Sequence, residues 1–388
     1  MAFDENDIDD VRSAVRELCT EFPVEYWEEK DAKGEFPTEF HKAFAEGGWL
    51  GSVAPEEYGG GGGGVRVGAT ILQEVARCGA LTACSTVHMP MFIMSSLAEF
   101  ASEEQKKRYI PEIAEGRMLA SFGVTEPDAG TDTTKISTRA VKVDGGYIVN
   151  GQKTWNSGAI EADRILLLAR TSPRDPEKKT MGMSLFFASF DTPGVTIKPI
   201  RKIGRNAVAS CDVVFEDFFV PDEDLIGEEG QGFRYILSGM NSERIYIASE
   251  ALGIGKWALE RSVNYAKERI IFDRAIGQNQ AVQHPLARNY MSLEAAQLAV
   301  NAAIDAFDSG VDPKRAGELA NIGKYLASEA AFQTTDDAMQ THGGYSFARE
   351  YHVGRYWIES RLMRIAPVNN QMVLNFIAEH VLKLPRSY

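Results

Sequence analysis

The spacing of apolar residues divides the chain into three zones. From about residue 5 to 118, apolar residues recur at the intervals of amphipathic helices, and helical stretches are predicted around 70–79 and 103–115. A run of six glycines precedes them at 59–64. Because Val65 follows this run in place of Gly-Lys-Ser/Thr, we expect a mobile loop and not a phosphate-binding P-loop.

The pattern changes to strands from about residue 119 to 222. The segment RAVKVDGGYIVNG (139–151) predicts two alternating strands joined by an Asp-Gly-Gly turn. The runs RILLLAR, MSLFFASF and CDVVFEDFFV are further strand candidates. This zone is therefore predicted to form a sheet.

The helical period returns from about residue 230 to 380. The clearest helices are predicted over 245–270, 281–308 and 313–341. The order of the zones is therefore helical, then strand-rich, then helical.

Composition narrows the possible partners. The 388 residues are enough for two or three domains, and the net charge is −14 with a pI of about 5.1. An acidic surface disfavours nucleic acid and anionic membrane as main partners. Four cysteines without a C-x-x-C pair and six scattered histidines predict no metal site and no disulfide framework. With an acidic N-terminus and no apolar run near membrane-spanning length, we expect a cytoplasmic protein without a membrane partner.

Three polar loops contain candidate functional residues. They are ASFGVTEPDAGTD (120–132), QKTWNSGA (152–159) and MQTHGGYSF (339–347). Trp155 beside Ser157 could stack on a planar cofactor and hydrogen-bond to it, although a single tryptophan is more often a core residue. Taken separately, each segment predicts only a polar loop.

Taken in order, these segments resemble the acyl-CoA dehydrogenase family. TEPDAGTD, NGQKTW, FEDFFVP, ERIIFDRAIGQNQ and QTHGGYSF follow one another as that family's motifs do, over nearly the whole chain. The resemblance implies an α+β fold with an N-terminal α-helical domain (1–118), a middle small β-barrel or sheet domain (119–228) and a C-terminal four-helix-bundle domain (229–388). It also implies FAD bound between subunits of a homotetramer, an acyl-CoA substrate, and an electron-transfer flavoprotein as electron acceptor.

The resemblance places cofactor contacts in the middle zone. The residues that match the family's flavin contacts there are Phe122, Val124, Thr125, Thr131, Trp155 and Ser157. The Ser157 hydroxyl would face the reactive flavin nitrogen. Thr131 would also lie near the CoA moiety of the substrate.

Further contacts are implied in the C-terminal zone. The matching residues are Arg269, Phe272, Gln280, Gln340, Gly344, Asn369 and Gln371. The first five would approach the phosphate and adenine side of the cofactor from a neighbouring subunit, and the last two would contact the flavin. An arginine suits this place because a planar guanidinium matches phosphate oxygens.

One position departs from the family. Many members carry their catalytic base in an Ile-x-Glu-Gly-Thr motif, and here Pro367 occupies the place of that glutamate. Proline cannot accept the proton, and it has no N–H to bind the thioester oxygen. A shift of one residue would put Val368 there, which restores the N–H but not the base.

The segment NSERIYI offers another acid. At helical spacing Glu243 projects on the apolar stripe with Met240 and Ile247. Because an unpaired buried charge is costly, a structural role would require Arg244 or Arg261 as partner, or a helix start at Glu243 itself. The sequence alone leaves these alternatives open.

The resemblance favours a catalytic role for Glu243. Isovaleryl-type and long-chain-type members carry their base at this helix position, immediately before an arginine, as Glu243 precedes Arg244. Glu243 would then abstract the α-proton of an acyl-CoA to give a trans-2-enoyl-CoA, with Asn241 and Arg244 bordering the acyl chain. Two alternatives remain, namely a specialised desulfinase or oxidase marked by Pro367, and an acyl-CoA or flavin binding protein without turnover. The acyl group is not predicted.

Overall fold

The computed structural model describes residues 5–386, which contain ten α-helices and ten β-strands. The helices are α1 (Glu5–Cys19), α2 (Val24–Lys33), α3 (Thr38–Glu46), α4 (Gly64–Phe100), α5 (Glu103–Ala114), α6 (Gly232–Glu268), α7 (Gln280–Asp308), α8 (Pro313–His342), α9 (Val353–Leu362) and α10 (Asn370–Phe376). The strands are β1 (Ala120–Gly123), β2 (Arg139–Val143), β3 (Gly146–Ser157), β4 (Arg164–Arg170), β5 (Met183–Ser189), β6 (Val195–Pro199), β7 (Ser210–Pro221), β8 (Leu225–Ile226), β9 (Ile270–Ile271) and β10 (Arg274–Ala275). The predicted α+β class and the order of helices, sheet and helices are confirmed.

Two compact units make up the described chain. The first comprises residues 30–64 and 85–240 and holds the large sheet. The second comprises residues 65–84 and 241–386 together with the N-terminal segment as far as Glu29. Both α4 and α6 contribute residues to each unit.

The large sheet belongs to the first unit. Its strands lie in the order β6-β7-β3-β2-β4-β5-β8, and β1 pairs in parallel with β4. The predicted hairpin is present as β2 and β3, which pair antiparallel from Val143 opposite Gly146 to Arg139 opposite Asn150.

Strand β4 lies between two apolar cores of this unit. Ile165 and Leu167 pack into one core, whereas Leu166 and Leu168 pack into the other. Successive side chains of a strand point to opposite faces, so every residue of β4 is buried. This explains why RILLLAR is a continuous apolar run and not an alternating one.

The helix predictions succeed where one face is polar. α7 and α8 were predicted at 281–308 and 313–341 and begin and end within one residue of those limits. The start of α8 has a local cause, since the Asp312 side chain accepts a hydrogen bond from the Lys314 N–H and Pro313 occupies the first helical position.

Other predicted boundaries were wrong. α4 was predicted only around 70–79 but continues to Phe100, because its second half is buried on nearly all sides and shows no polar face. α6 begins at Gly232, earlier than the predicted residue 245, and ends at Glu268, where the β9–β10 hairpin follows.

The glycine run packs closely against a neighbouring segment of the first unit. The N–H groups of Gly61, Gly62 and Gly63 donate to the carbonyls of Gly51, Ala54 and Ser52 at 2.8–3.0 Å. A Cβ on Gly60 would lie 2.2 Å from the Ala54 oxygen. The run therefore permits a close backbone approach, with no lysine to bind phosphate.

Helix α4 is long and apolar enough to cross a membrane by length and composition. However, 83% of its most apolar window is buried inside the structure. A core helix of a folded protein has these same properties, so the composition of α4 is weak evidence for a membrane span.

A buried ion pair stabilises the loop after β1. The Lys153 ammonium has no exposed surface and lies 2.8 Å from Glu126 Oε1 and 3.1 Å from the Val124 oxygen. Glu126 also accepts from the Ser137 N–H at 2.6 Å and the Thr138 N–H at 2.9 Å. Burial acts to raise the pKa of Glu126, but Lys153 and these hydrogen bonds outweigh it and lower the pKa to about 2. Burial lowers the pKa of Lys153 to about 8, although Glu126 opposes the shift.

A kink interrupts α4 in the second unit. Gly79 and Ala80 have non-helical backbone angles, and a Cβ on Gly79 would lie 2.6 Å from both Ala83 Cβ and the Trp27 ring. Glu359 accepts from the Thr82 N–H at 2.9 Å just beyond the kink. The absence of a side chain at Gly79 therefore allows Trp27 to pack into the bend.

We predict that Lys153→Met lowers the free energy of unfolding by about 3–5 kcal/mol, because it leaves the Glu126 carboxylate buried without its counter-charge. Urea denaturation measures the loss. Adding Glu126→Gln should recover part of it, since the glutamine oxygen still accepts from the Ser137 and Thr138 N–H groups. Equal stability of the single and double variants would contradict this explanation.

We predict that Gly79→Ala lowers the free energy of unfolding by about 1–3 kcal/mol through overpacking against Trp27. Gly130→Ala is the matched control, because no atom lies within 4 Å of the added methyl group. The two thermal unfolding midpoints are compared. A similar shift in both variants would assign the effect to the backbone and not to the contact with Trp27.

Candidate active site

The first residues that match the family's flavin contacts lie where β1 ends. Phe122 and Val124 pack against the core of the first unit, and the Phe122 ring meets the Phe92 ring edge-on at a centroid distance of 4.9 Å. The Thr125 oxygen accepts from the Thr154 N–H at 2.9 Å, which joins this segment to β3. Phe122, Val124 and Thr125 are half-buried, whereas Thr131 is exposed.

Trp155 stands on a strained backbone. The pairing of β3 with β7 shifts register between Lys153 and Asn156, and Trp155 within this bulge has a φ of +62°. A non-glycine residue in the left-handed region costs energy and is often found at functional sites. The bulge leaves the Trp155 side chain 58% exposed, so its ring is available to a planar ligand and is not a core residue.

Ser157 ends β3 beside an arginine that sequence reasoning missed. Arg205 Nη2 donates to Ser157 Oγ at 2.8 Å, and Ser121 Oγ donates to the Ser157 carbonyl at 2.9 Å. Arg205 follows β6 in a loop whose apolar pattern gave no signal for its direction. The pairing of β3 with β7 helps to bring these distant residues together.

A pocket of about 500 Å³ in the second unit brings together three predicted residues, Arg269, Gln340 and Gly344. Tyr265 and Tyr345 also line it, and the Arg269 guanidinium lies 5.4 Å from the centre of the Tyr345 ring. A guanidinium, an amide and two phenol rings form a donor set suited to a ligand with phosphate and an aromatic base.

Phe272 and Gln280 lie outside the lining of this pocket. Phe272 forms the tip of the β9–β10 hairpin, with a φ of +52° and 93% of its surface exposed. Gln280 is the exposed first residue of α7. The structure thus brings together three of the five residues that the resemblance assigned to the phosphate and adenine side.

A second pocket of about 510 Å³ contains Asn369 and Gln371. The Asn369 side chain accepts from the Met372 N–H at 2.9 Å and so caps α10. Glu329, also in the lining, accepts from Arg364 Nε at 2.8 Å and from Asn370 Nδ2 at 2.7 Å. This acid is therefore held by its neighbours at the edge of the pocket.

Glu243 lies inside α6, so the alternative in which it opens a helix was wrong. It is half-buried, as are Asn241 and Arg244 on the same helix. Arg244 Nη1 donates to Asn241 Oδ1 at 2.9 Å, and Arg244 Nε is buried without a hydrogen-bond partner in the described part of the chain. Burial lowers the pKa of Arg244, and the nearby Glu243 carboxylate opposes that shift.

Lys324 donates a hydrogen bond to Asn370, which lines the second pocket. Its ammonium is completely buried and donates to Asn370 Oδ1 at 2.6 Å. Burial lowers the pKa of Lys324 to about 8; Glu329 opposes the shift, and the charges of Arg244 and Arg364 add to it. Sequence reasoning missed Lys324, because its place in α8 looks like an ordinary polar helix position.

Among the described residues no cluster of histidine, cysteine, aspartate and glutamate could hold a metal ion. The available donors instead fit FAD. An exposed indole beside a hydroxyl in the first unit suits a flavin ring, and the Arg269 pocket in the second unit suits a phosphate-linked base.

Comparison with known proteins identifies the family. The acyl-CoA dehydrogenase N-terminal, middle and C-terminal domain models match residues 5–117, 121–218 and 230–382. Acyl-CoA dehydrogenase fadE12 of Mycobacterium bovis is 36% identical over 378 residues, which is 97% of this chain and 96% of the relative. The 3-(aryl)acrylate reductase of Clostridium sporogenes is 33% identical over 95% of this chain and 98% of its own.

A solved structure agrees in fold and cofactor. The FAD complex of PigA is 27% identical and superposes with a TM-score of 0.91, over 98% of this chain and 99% of that one. The N-terminal helical, middle sheet and C-terminal helical arrangement is that of the same fold. The chain therefore belongs to the acyl-CoA dehydrogenase family, whose members are FAD-dependent oxidoreductases acting on CH–CH groups.

Proposed function

We propose that the protein oxidises an acyl-CoA thioester to a trans-2-enoyl-CoA with Glu243 as the base. The Glu243 carboxylate takes the α-proton, and FAD accepts the hydride from the β-carbon. The single observation that carries this assignment is the place of Glu243, half-buried within α6 beside Arg244.

The neighbouring groups support Glu243 over other candidates. Pro367, at the place of the usual glutamate, has no proton acceptor in its side chain. Asn241 and Arg244 supply hydrogen-bond donors on the same helix as Glu243, where they would border the acyl chain.

The remaining cofactor residues have distinct proposed roles. The surface offered to the flavin ring would be formed by Phe122, Val124, Thr125 and Trp155. The phosphate side would be bound by Arg269 and Gln340. Thr131 would contact the CoA moiety, and Asn369 and Gln371 would contact the flavin.

We further propose that a second copy of this chain covers the β9–β10 hairpin. Ile270, Ile271 and Phe272 are 58%, 43% and 93% exposed, although they are consecutive apolar residues. Contiguous exposed apolar surface of this kind usually marks an interface. The hairpin would bring Phe272 and Gln280 to a neighbouring subunit's FAD in a homotetramer, and an electron-transfer flavoprotein would remove the electrons.

The test is an anaerobic titration of the oxidised protein with acyl-CoAs of varied length and branching, while the flavin absorption band is recorded. We predict that a substrate bleaches the wild type and that Glu243→Gln slows bleaching by about 10²-fold or more while FAD remains bound. Glu260→Gln is the matched control, because it is an exposed glutamate on the same helix.

Unchanged bleaching in Glu243→Gln would remove the base assignment. If acyl-CoAs bind to the wild type but bleach nothing, the dehydrogenase proposal fails. Reoxidation of the chemically reduced protein by an enoyl thioester would then favour reductase activity, the activity named for the Clostridium relative.

We predict that Arg269→Gln weakens FAD binding about tenfold or more, because a hydrogen bond to a charged group contributes about 1.5–3 kcal/mol. Arg274→Gln is the control, since Arg274 lies on the same hairpin but donates to Asn279 Oδ1 at 2.6 Å. Isothermal titration of the apoprotein with FAD gives both dissociation constants. Equal affinities in the two variants would show that Arg269 does not meet the phosphate.

A further inference from the structure

Several hydrogen bonds hold the loop that carries Arg205. Between β6 and β7, the Lys202 ammonium donates to the Arg205 and Val208 oxygens, each at 2.7 Å, and to Ser210 Oγ at 3.1 Å. The next residue, Asn206, donates its backbone N–H to Asp31. These bonds define the backbone on both sides of Arg205 and leave its side chain directed at Ser157 Oγ.

The backbone at Arg205 is strained. Its φ is +59°, and Trp155, two residues before Ser157, has a φ of +62°. A left-handed non-glycine residue is costly and persists only where the surrounding structure requires it. Trp155 lies on the strand that carries Ser157 and Arg205 donates to its hydroxyl, so both sides of this contact stand on constrained backbone.

The hydrogen bond also determines what the hydroxyl can do. A guanidinium only donates, so Arg205 occupies one of the two lone pairs of Ser157 Oγ and turns the hydroxyl proton away from itself. One donor and one acceptor remain. The hydroxyl can therefore donate to a flavin nitrogen in the oxidised cofactor and accept from an N–H in the reduced one.

We propose that Arg205 is a positioning residue that orients the Ser157 hydroxyl toward the flavin and, through its positive charge, favours the reduced cofactor. The inference rests on the proposed contact between Ser157 and FAD. A charge-assisted hydrogen bond polarises the hydroxyl and is about twice as strong as a neutral one. A fixed positive charge also stabilises electrons added nearby in a water-poor site.

The experiment measures the two-electron midpoint potential of bound FAD by anaerobic equilibration with reference dyes. We expect Arg205→Met to weaken binding of reduced relative to oxidised FAD about tenfold, which lowers the potential by about 30 mV. Arg205→Gln, which keeps an N–H donor but no charge, should also lower it. Arg205→Lys, which keeps the charge, should retain most of the wild-type value.

Two further variants separate a specific effect from a general one. Arg201→Met removes an exposed cation from the same loop and should leave the potential unchanged. Ser157→Ala combined with Arg205→Met should shift the potential by less than the sum of the single shifts, because one group acts through the other. Thermal midpoints of all variants report any loss of folding.

A potential in Arg205→Met and Arg205→Gln that equals the wild-type value would overturn the inference, and so would an equal shift in Arg201→Met or full additivity with Ser157→Ala. If Arg205→Met loses FAD, the midpoint potential of Arg205→Gln decides whether the inference stands. None of these outcomes depends on substrate turnover. Failure of the proposed dehydrogenation would instead appear as wild-type FAD that no acyl-CoA bleaches.

Discussion

The middle sheet depends on one buried charge. A lysine ammonium without solvent contact, as at Lys153, is tolerated only if its charge and its donors are matched. Glu126 supplies the charge, and because that carboxylate also binds the N–H groups of Ser137 and Thr138, both ends of the loop after β1 are held at one point. The residue after Lys153 pairs with Thr125, and the next is Trp155, so the surface proposed for the flavin is built outward from this ion pair.

The second unit carries no acid at Pro367, the place of the usual glutamate. Proline offers no base, and α10 just beyond it is held to α8, since its first residue Asn370 contacts both Lys324 and Glu329. Lys324 in turn lies near Arg244, the neighbour of Glu243. One polar cluster therefore joins Asn370 to Lys324 and Glu329. An acid on a helix is also placed by regular backbone geometry, which restricts its position more than a loop does.

Much of this architecture could be predicted from the sequence, because it is encoded locally. α7 and α8 carry a clear helical period, and the β2–β3 hairpin carries a turn signal, so each is predicted closely.

Prediction fails where the deciding contact is distant in the chain. The second half of α4 is buried all round, so its period disappears. The hydrogen bond of Arg205 to Ser157 joins residues 48 positions apart, and no local pattern reports it. The cofactor motifs were recognised by resemblance, yet the residues that hold them in place were not.

Left-handed backbone occurs at several non-glycine residues, at the kink of α4 as well as in segments proposed to bind FAD. Trp155, Arg205 and Phe272 all adopt left-handed angles without being glycine, and two of them lie in segments that the family resemblance assigned to FAD. A sequence selected only for stability would place glycine or asparagine at such angles. Tryptophan, arginine and phenylalanine at these angles are understandable if the side chain is needed at that point and its direction requires the strained backbone. The strain is then sustained by neighbouring structure, namely the bulge of β3, the Lys202 hydrogen bonds and the β9–β10 hairpin.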